Sequence, residues 1–122
     1  MVSEAEKIIS DCSLLVLSDF NYGCLPQTLL DELIARVGRK DLIVTADSQA
    51  SSQMGDVSRF KDMTLIMPTE REARIALRNQ QDGLVILVEK LKEKSRAENI
   101  ILKLGADGAL LFMRDEGESF LV

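Results

Sequence analysis

Thr64-Leu65-Ile66-Met67-Pro68-Thr69-Glu70-Arg71-Glu72 and Ile100-Ile101-Leu102-Lys103-Leu104-Gly105-Ala106-Asp107-Gly108 frame the part of the chain with the strongest local signals. The first reads as a short apolar strand that runs into a helix start, the second as a strand that runs into a glycine turn. Between them Glu70 to Arg78 reads as a helix. Leu84 to Arg96 reads as another, with an apolar stripe at Leu84, Leu87, Val88 and Leu91 behind the punctuation of Asp82-Gly83. Strand ends that feed helices and glycine turns in this way form the ligand-binding crevice of open α/β sheets.

Outward from that unit the same grammar repeats. Leu14-Leu15-Val16-Leu17 is a continuous apolar run closed by Ser18-Asp19, as expected for a strand buried on both faces. Leu25, Leu29, Leu30, Leu33, Ile34 and Val37 share one helical face, with Pro26 suited to the first turn and Gly38 to the C-terminal cap. Leu42-Ile43-Val44-Thr45-Ala46 is a second buried strand ending at Asp47, and strand, helix, strand with short links implies a right-handed parallel crossover. Ser3 to Ser10 has helical composition, Ser48 to Gly55 reads as a loop, and Arg59-Phe60 as a turn. Ala109 to Met113 and Ser119 to Val122 form an antiparallel hairpin about Asp115-Glu116-Gly117. The expected fold is a three-layer α/β domain with a mainly parallel sheet and an antiparallel C-terminal hairpin, a single domain over residues 1–122.

Composition narrows the function classes. Fifteen Lys and Arg against twenty Asp and Glu give a net charge of −5, and aromatic residues make up only 4% of the chain, so the footprint of a nucleic-acid binder is missing. Cys12 and Cys24 have no CxxC spacing and no histidine beside them, and read as buried free thiols rather than a zinc or disulfide framework. The longest apolar run is far short of the roughly 20 residues that cross a bilayer, and the N-terminus lacks signal-peptide character, so a cytoplasmic location and no membrane partner are expected.

Three strand ends carry polar residues, Asp19, Asp47 and Thr69, which a parallel sheet would bring to one crevice; loop starts and helix caps account for the same residues without a ligand. Thr69-Glu70-Arg71-Glu72 fits a capping box. Gly105 and Gly108 allow amides to approach an anion, or simply make a turn. The GxxxxGK[ST] pattern of a P-loop is absent.

In order and spacing these pieces resemble the PfkB/ribokinase-like carbohydrate kinases, and within them the heptose-phosphate kinase domain of bifunctional ADP-heptose synthesis enzymes. The matching residues are Leu17-Ser18-Asp19-Phe20 with Gly23, Val44-Thr45-Ala46-Asp47, Phe60 through Met67-Pro68-Thr69-Glu70-Arg71-Glu72, and Leu102 through Gly108 to Leu111. The resemblance covers nearly all of this chain and less than half of a typical family member. It implies ATP and magnesium as cofactors. Glu72 would organise the metal, although the family's Asn-x-x-Glu has Thr69 at its first position here. Lys103, Gly105, Gly108 and Thr69 would border the nucleotide, and Asp19 and Asp47 would line the substrate crevice. The cationic residues that heptose-type enzymes carry at Tyr22 and Gln49 are absent. The family's sugar-binding lid and its anion hole with the catalytic aspartate would lie outside residues 1–122, so this polypeptide alone is expected not to be a competent kinase. Two readings follow: a fragment of an ATP-dependent sugar or sugar-phosphate kinase, or a non-catalytic interaction module, derived from a kinase, that dimerises through exposed sheet and helix surfaces.

Overall fold

The computed structural model describes residues 2–9, 11–19, 26–37, 42–48, 56–115 and 119–122. Six strands form one sheet in sequential order: β1 (Leu14–Asp19), β2 (Ile43–Ser48), β3 (Leu65–Ile66), β4 (Asn99–Lys103), β5 (Ala109–Met113) and β6 (Ser119–Leu121). The first four run parallel, and β5 and β6 return antiparallel. Helices α1 (Val2–Ile9), α2 (Gln27–Val37), α3 (Glu70–Leu77) and α4 (Leu84–Ser95) complete an α/β architecture of the three-layer, ribokinase-like class.

Each parallel strand adds on the same side of the one before, so right-handed crossovers carry the intervening helices across one face of the sheet. Burial follows that geometry. Leu17, Ala46, Ile66, Ile100, Leu102, Leu110 and Phe112 alternate toward this face and pack on Leu30 of α2, Ala73 and Ala76 of α3, and Leu87, Val88 and Leu91 of α4. Val57, Phe60 and Met63, from a 3-10 turn over Val57–Arg59 and the loop after it, fill the space between helices and sheet. A second cluster, Ile9 and Leu42 with Cys12, Leu15, Leu33 and Val44, extends the same face beneath α1 and α2.

The opposite face differs from the sequence expectation. Leu14 and Val16 of β1 are 52% and 54% exposed, and Ile43, the register partner of Leu14, is 49% exposed. These strands are therefore buried on one face only over these residues: β1 is the edge of the sheet, and both apolar clusters of the described residues lie on the helix-bearing side. Cys12 is a free thiol but half-buried, its Sγ donating to the Ile8 carbonyl at 3.1 Å.

Helix boundaries reflect local chemistry. The α2 pattern starts after Pro26, whose carbonyl accepts from the Leu30 amide; its expected first residue Leu25 and cap Gly38 lie outside the described residues. Arg78 and Arg96 close α3 and α4 in the left-handed conformation, at φ 50° and 57°. Asn79 then folds the link, its Oδ1 accepting from the amides of Gln81 and Asp82 at 3.1 Å. β3 is assigned only two residues, yet Thr64 and Met67 also donate to the carbonyls of Val44 and Ala46, so its pairing spans the expected Thr64–Met67. Cys24, residues 49–55 of the expected loop, and the Glu116-Gly117 tip of the hairpin fall outside the described residues, as do Phe20, Tyr22, Gly23 and Gln49.

Candidate functional site

Parallel pairing places the carboxyl ends of β1 to β4 along one rim. Asp19 pairs in register with Ser48, Ser18 with Asp47, and Thr69 forms a parallel bridge with Lys103. The Lys103 amide donates to the Pro68 carbonyl at 2.8 Å, which seats the end of β4 against the segment that enters α3.

Two of the expected site residues meet directly. The Lys103 Nζ lies 3.2 Å from Asp47 Oδ1, an ion pair between residues 56 positions apart. Both side chains are partly open, at 41% and 34%, so the pair contributes at most about 1 kcal/mol to stability. What it fixes is position: an ammonium group stands at the rim with a carboxylate beside it, and an arriving anion can take over the ammonium's hydrogen bonds.

Beside this pair, α3 begins in the capping box read from the sequence. Thr69 Oγ1 accepts from the Glu72 amide at 3.2 Å, and the Thr69 amide donates to Glu72 Oε2 at 2.8 Å. Glu72 is 5% exposed, so its carboxylate sits buried at the positive end of a helix. A magnesium ion bound largely through water and phosphate oxygens takes one or two carboxylates from the protein, and a single hard-oxygen donor here is compatible with that demand. Among the described residues no group of three His, Cys, Asp or Glu side chains gathers as an all-protein metal cage.

The glycine segment has a structural explanation of its own. Gly105 opens a 3-10 turn at φ 62°, and the amides of Asp107 and Gly108 are used within it, donating to the carbonyls of Leu104 and Gly105. Gly108 adopts φ 93°, and a Cβ there would stand 1.8 Å from the Val122 carbonyl oxygen. Ala109 and Val122 exchange two backbone hydrogen bonds beside it, at 2.9 and 2.8 Å. Gly108 thus permits the close approach of β6 to the start of β5.

The sequence reading passed over Ser18. Alternation along β1 puts it, with Leu14 and Val16, on the face that carries Asp47, and it is exposed there as the register partner of Asp47. Period-two spacing from Leu14 was the available signal.

No family model matches the chain. It is 34% identical over 121 residues to the bifunctional protein HldE of Desulfatibacillum aliphaticivorans, covering 95% of this chain and 24% of that protein. It is 29% identical over 118 residues to HldE of Campylobacter fetus, covering 94% and 25%. Over nearly its whole length the chain is related to HldE. It spans about a quarter of the length of these HldE relatives. The fold agrees: ribokinase from Giardia lamblia superposes with a TM-score of 0.77 at 18% identity, over 99% of this chain and 41% of that one. Phosphofructokinase-2 from Escherichia coli in complex with fructose-6-phosphate gives 0.75 at 16% identity, over 99% and 41%.

Proposed function

We propose that residues 1–122 form part of the nucleotide shelf of an ATP-dependent sugar or sugar-phosphate kinase of the ribokinase-like class. The observation that carries this reading is the Asp47–Lys103 ion pair on the same rim as the buried Glu72 carboxylate. In the proposed site Lys103 meets the phosphate tail of the nucleotide as a mobile point charge, and Asp47 holds that ammonium at the rim before the anion arrives. Gly105 and Gly108 shape the adjoining turn. Thr69 fixes the start of α3, so that Glu72 faces magnesium-bound water near the phosphates, and Asp47 lines the acceptor side of the crevice. Magnesium, when bound, neutralises charge on the transferring phosphoryl group.

The reaction class is in-line phosphoryl transfer, in which a carbohydrate hydroxyl oxygen forms a bond to the terminal phosphorus as the bond to the ADP oxygen breaks. In this reading the base that takes the hydroxyl proton and the donors that receive the developing charge are supplied by polypeptide outside residues 1–122, and the chain alone does not turn over. Heptose phosphate, by relation to HldE, is the first acceptor to test. A cytoplasmic setting suits these substrates; no helix among the described residues is long and apolar enough to cross a membrane.

Isothermal titration with Mg-ATP tests the proposal. Binding by the wild-type chain that weakens by about tenfold or more in Lys103→Ala, the scale of losing one charge-assisted hydrogen bond, is the expected result. Binding equal to that of the wild type in both Lys103→Ala and Glu72→Gln overturns the assignments.

A further inference from the structure

The Asp47–Lys103 contact sets two demands on one ammonium group. In the proposed site Lys103 receives a ligand phosphate, yet its Nζ stands 3.2 Å from the Asp47 carboxylate. Among the described residues neither side chain has another hydrogen-bonding or ionic partner. The donor a phosphate needs is therefore already occupied by an anion of the chain itself. The pair also occupies space. Asp47 belongs to β2 and Lys103 to β4, and β3 lies between them in the sheet, so the two side chains meet across the carboxyl end of β3, where the chain turns through Pro68 into α3.

An ammonium has three N–H donors, and sharing it between Asp47 and a phosphate is the first arrangement to consider. Sharing sets the two anions within about 5 Å of each other across a single positive charge. At 34% and 41% exposure water screens that repulsion only in part, while the ion pair that sharing would preserve is a weak one. Displacement of the carboxylate is favoured over sharing. It has a donor to turn to. Ser18 is the register partner of Asp47 on the adjacent parallel strand, about 4.8 Å away at the backbone, and both side chains lie on the same face of the sheet. The Ser18 hydroxyl is exposed and makes no hydrogen bond among the described residues, so it can donate to Asp47 once Lys103 has turned to the ligand.

We propose that Asp47 is a resident competitor of the nucleotide, a role that rests on the nucleotide-shelf reading. It occupies Lys103 in the empty site, closes the rim across the end of β3, and moves onto Ser18 when a phosphate takes the ammonium. Isothermal titration with Mg-ATP of the wild-type chain, Asp47→Asn, Lys103→Ala and the double variant tests it as a double-mutant cycle. Asp47→Asn is expected to bind about fivefold tighter than wild type, the scale of giving up one half-open ion pair. With Lys103 already replaced by alanine, the same substitution is expected to change affinity by less than about twofold, because the competition is for that ammonium. Urea denaturation of each variant verifies that the chains compared are folded. Asp47→Asn binding no tighter than wild type, while Lys103→Ala binds more weakly, overturns the competition and leaves the nucleotide shelf standing. Equal tightening in both backgrounds also overturns it, since Asp47 would then act on the ligand by its charge alone. Four folded chains that all fail to bind overturn the shelf and the competition together.

Discussion

Alanine at Gly108 should destabilise the chain far more than alanine at Gly105, although both glycines have positive φ and lie three residues apart. At Gly105 the backbone sits at φ 62° and an added Cβ meets nothing within 4 Å. The cost there is the conformational one alone, about 1–2 kcal/mol for an L-residue in the left-handed region. At Gly108 the conformation, φ 93° and ψ −134°, lies in territory that L-residues seldom enter, a strain of about 1–3 kcal/mol. The Cβ would in addition overlap the Val122 carbonyl at 1.8 Å, and the obstacle is backbone, not a side chain that can swing aside. Relief requires β6 to move off β5 at the Ala109–Val122 pair, with two hydrogen bonds lost at about 0.5–1.5 kcal/mol each. The sum is about 2–6 kcal/mol. For 122 residues the unfolding entropy near the midpoint is about 0.26 kcal/mol/K, so each kcal/mol moves Tm by about 4 °C. Differential scanning calorimetry should then show a fall of about 4–8 °C for Gly105→Ala and about 8–24 °C for Gly108→Ala. Equal shifts in the two variants would refute the close-approach argument and return both glycines to an ordinary turn.

Further expectations concern the helix start and the acid limb. Thr69→Ala removes the acceptor of the Glu72 amide and should cost about 1 kcal/mol in urea denaturation, whereas Thr69→Asn, itself a strong N-cap, should cost only a few tenths; equal losses would contradict the capping role. The Lys103→Ala variant should unfold within about 1 kcal/mol of wild type, since its ion pair is half in water; a much larger loss would make Lys103 a structural residue. Two bonds from Arg96, each 2.7 Å, hold the Asp62 carboxyl below the usual carboxylate range; partial burial opposes them, and the nearby charges of Arg96 and Lys61 add to the lowering. Lys90 and then Asn79 do the same for Asp82. A carboxyl lowered in the folded state stabilises above its unfolded value of about 3.9 and loses that contribution as pH falls through the lower folded value. Asp62→Asn should therefore lower stability at neutral pH and flatten its decline below about pH 4, as measured by denaturant midpoints across pH; an unchanged acid limb would contradict the assignment.

Much of this fold could be read from local pattern because its determinants are local. The stripe of Leu84, Leu87, Val88 and Leu91, the Asp82-Gly83 entry, and the Thr69–Glu72 spacing each specify a feature within a few residues, and each is where expected. The hairpin of β5 and β6 was legible for the same reason. The helix ends fall at Arg78 and Arg96 as expected, although the left-handed cap that closes each is arginine where glycine is the usual residue. The open face of β1 and β2 was not legible from the run Leu14–Leu17, since exposure there depends on strand order and on which side the crossovers fall. The site divides in the same way. The convergence of strand ends follows from parallel pairing, but contact between Lys103 and Asp47 spans 56 positions, and no local spacing encodes it. The choice between Ser18 and Asp19 as neighbour of Asp47 turned on a one-residue register.

The central claim is that the rim built by Asp47, Lys103 and the start of α3 receives the phosphates of a nucleotide. Comparing Mg-ATP titrations of the wild-type chain and Lys103→Ala tests it most directly, because that substitution leaves the capping box and the buried core in place. Saturable binding to the wild type, weakened about tenfold or more in the variant, is the predicted result. Wild-type and Lys103→Ala chains that bind Mg-ATP equally, or a folded wild-type chain that does not bind it, would contradict the account.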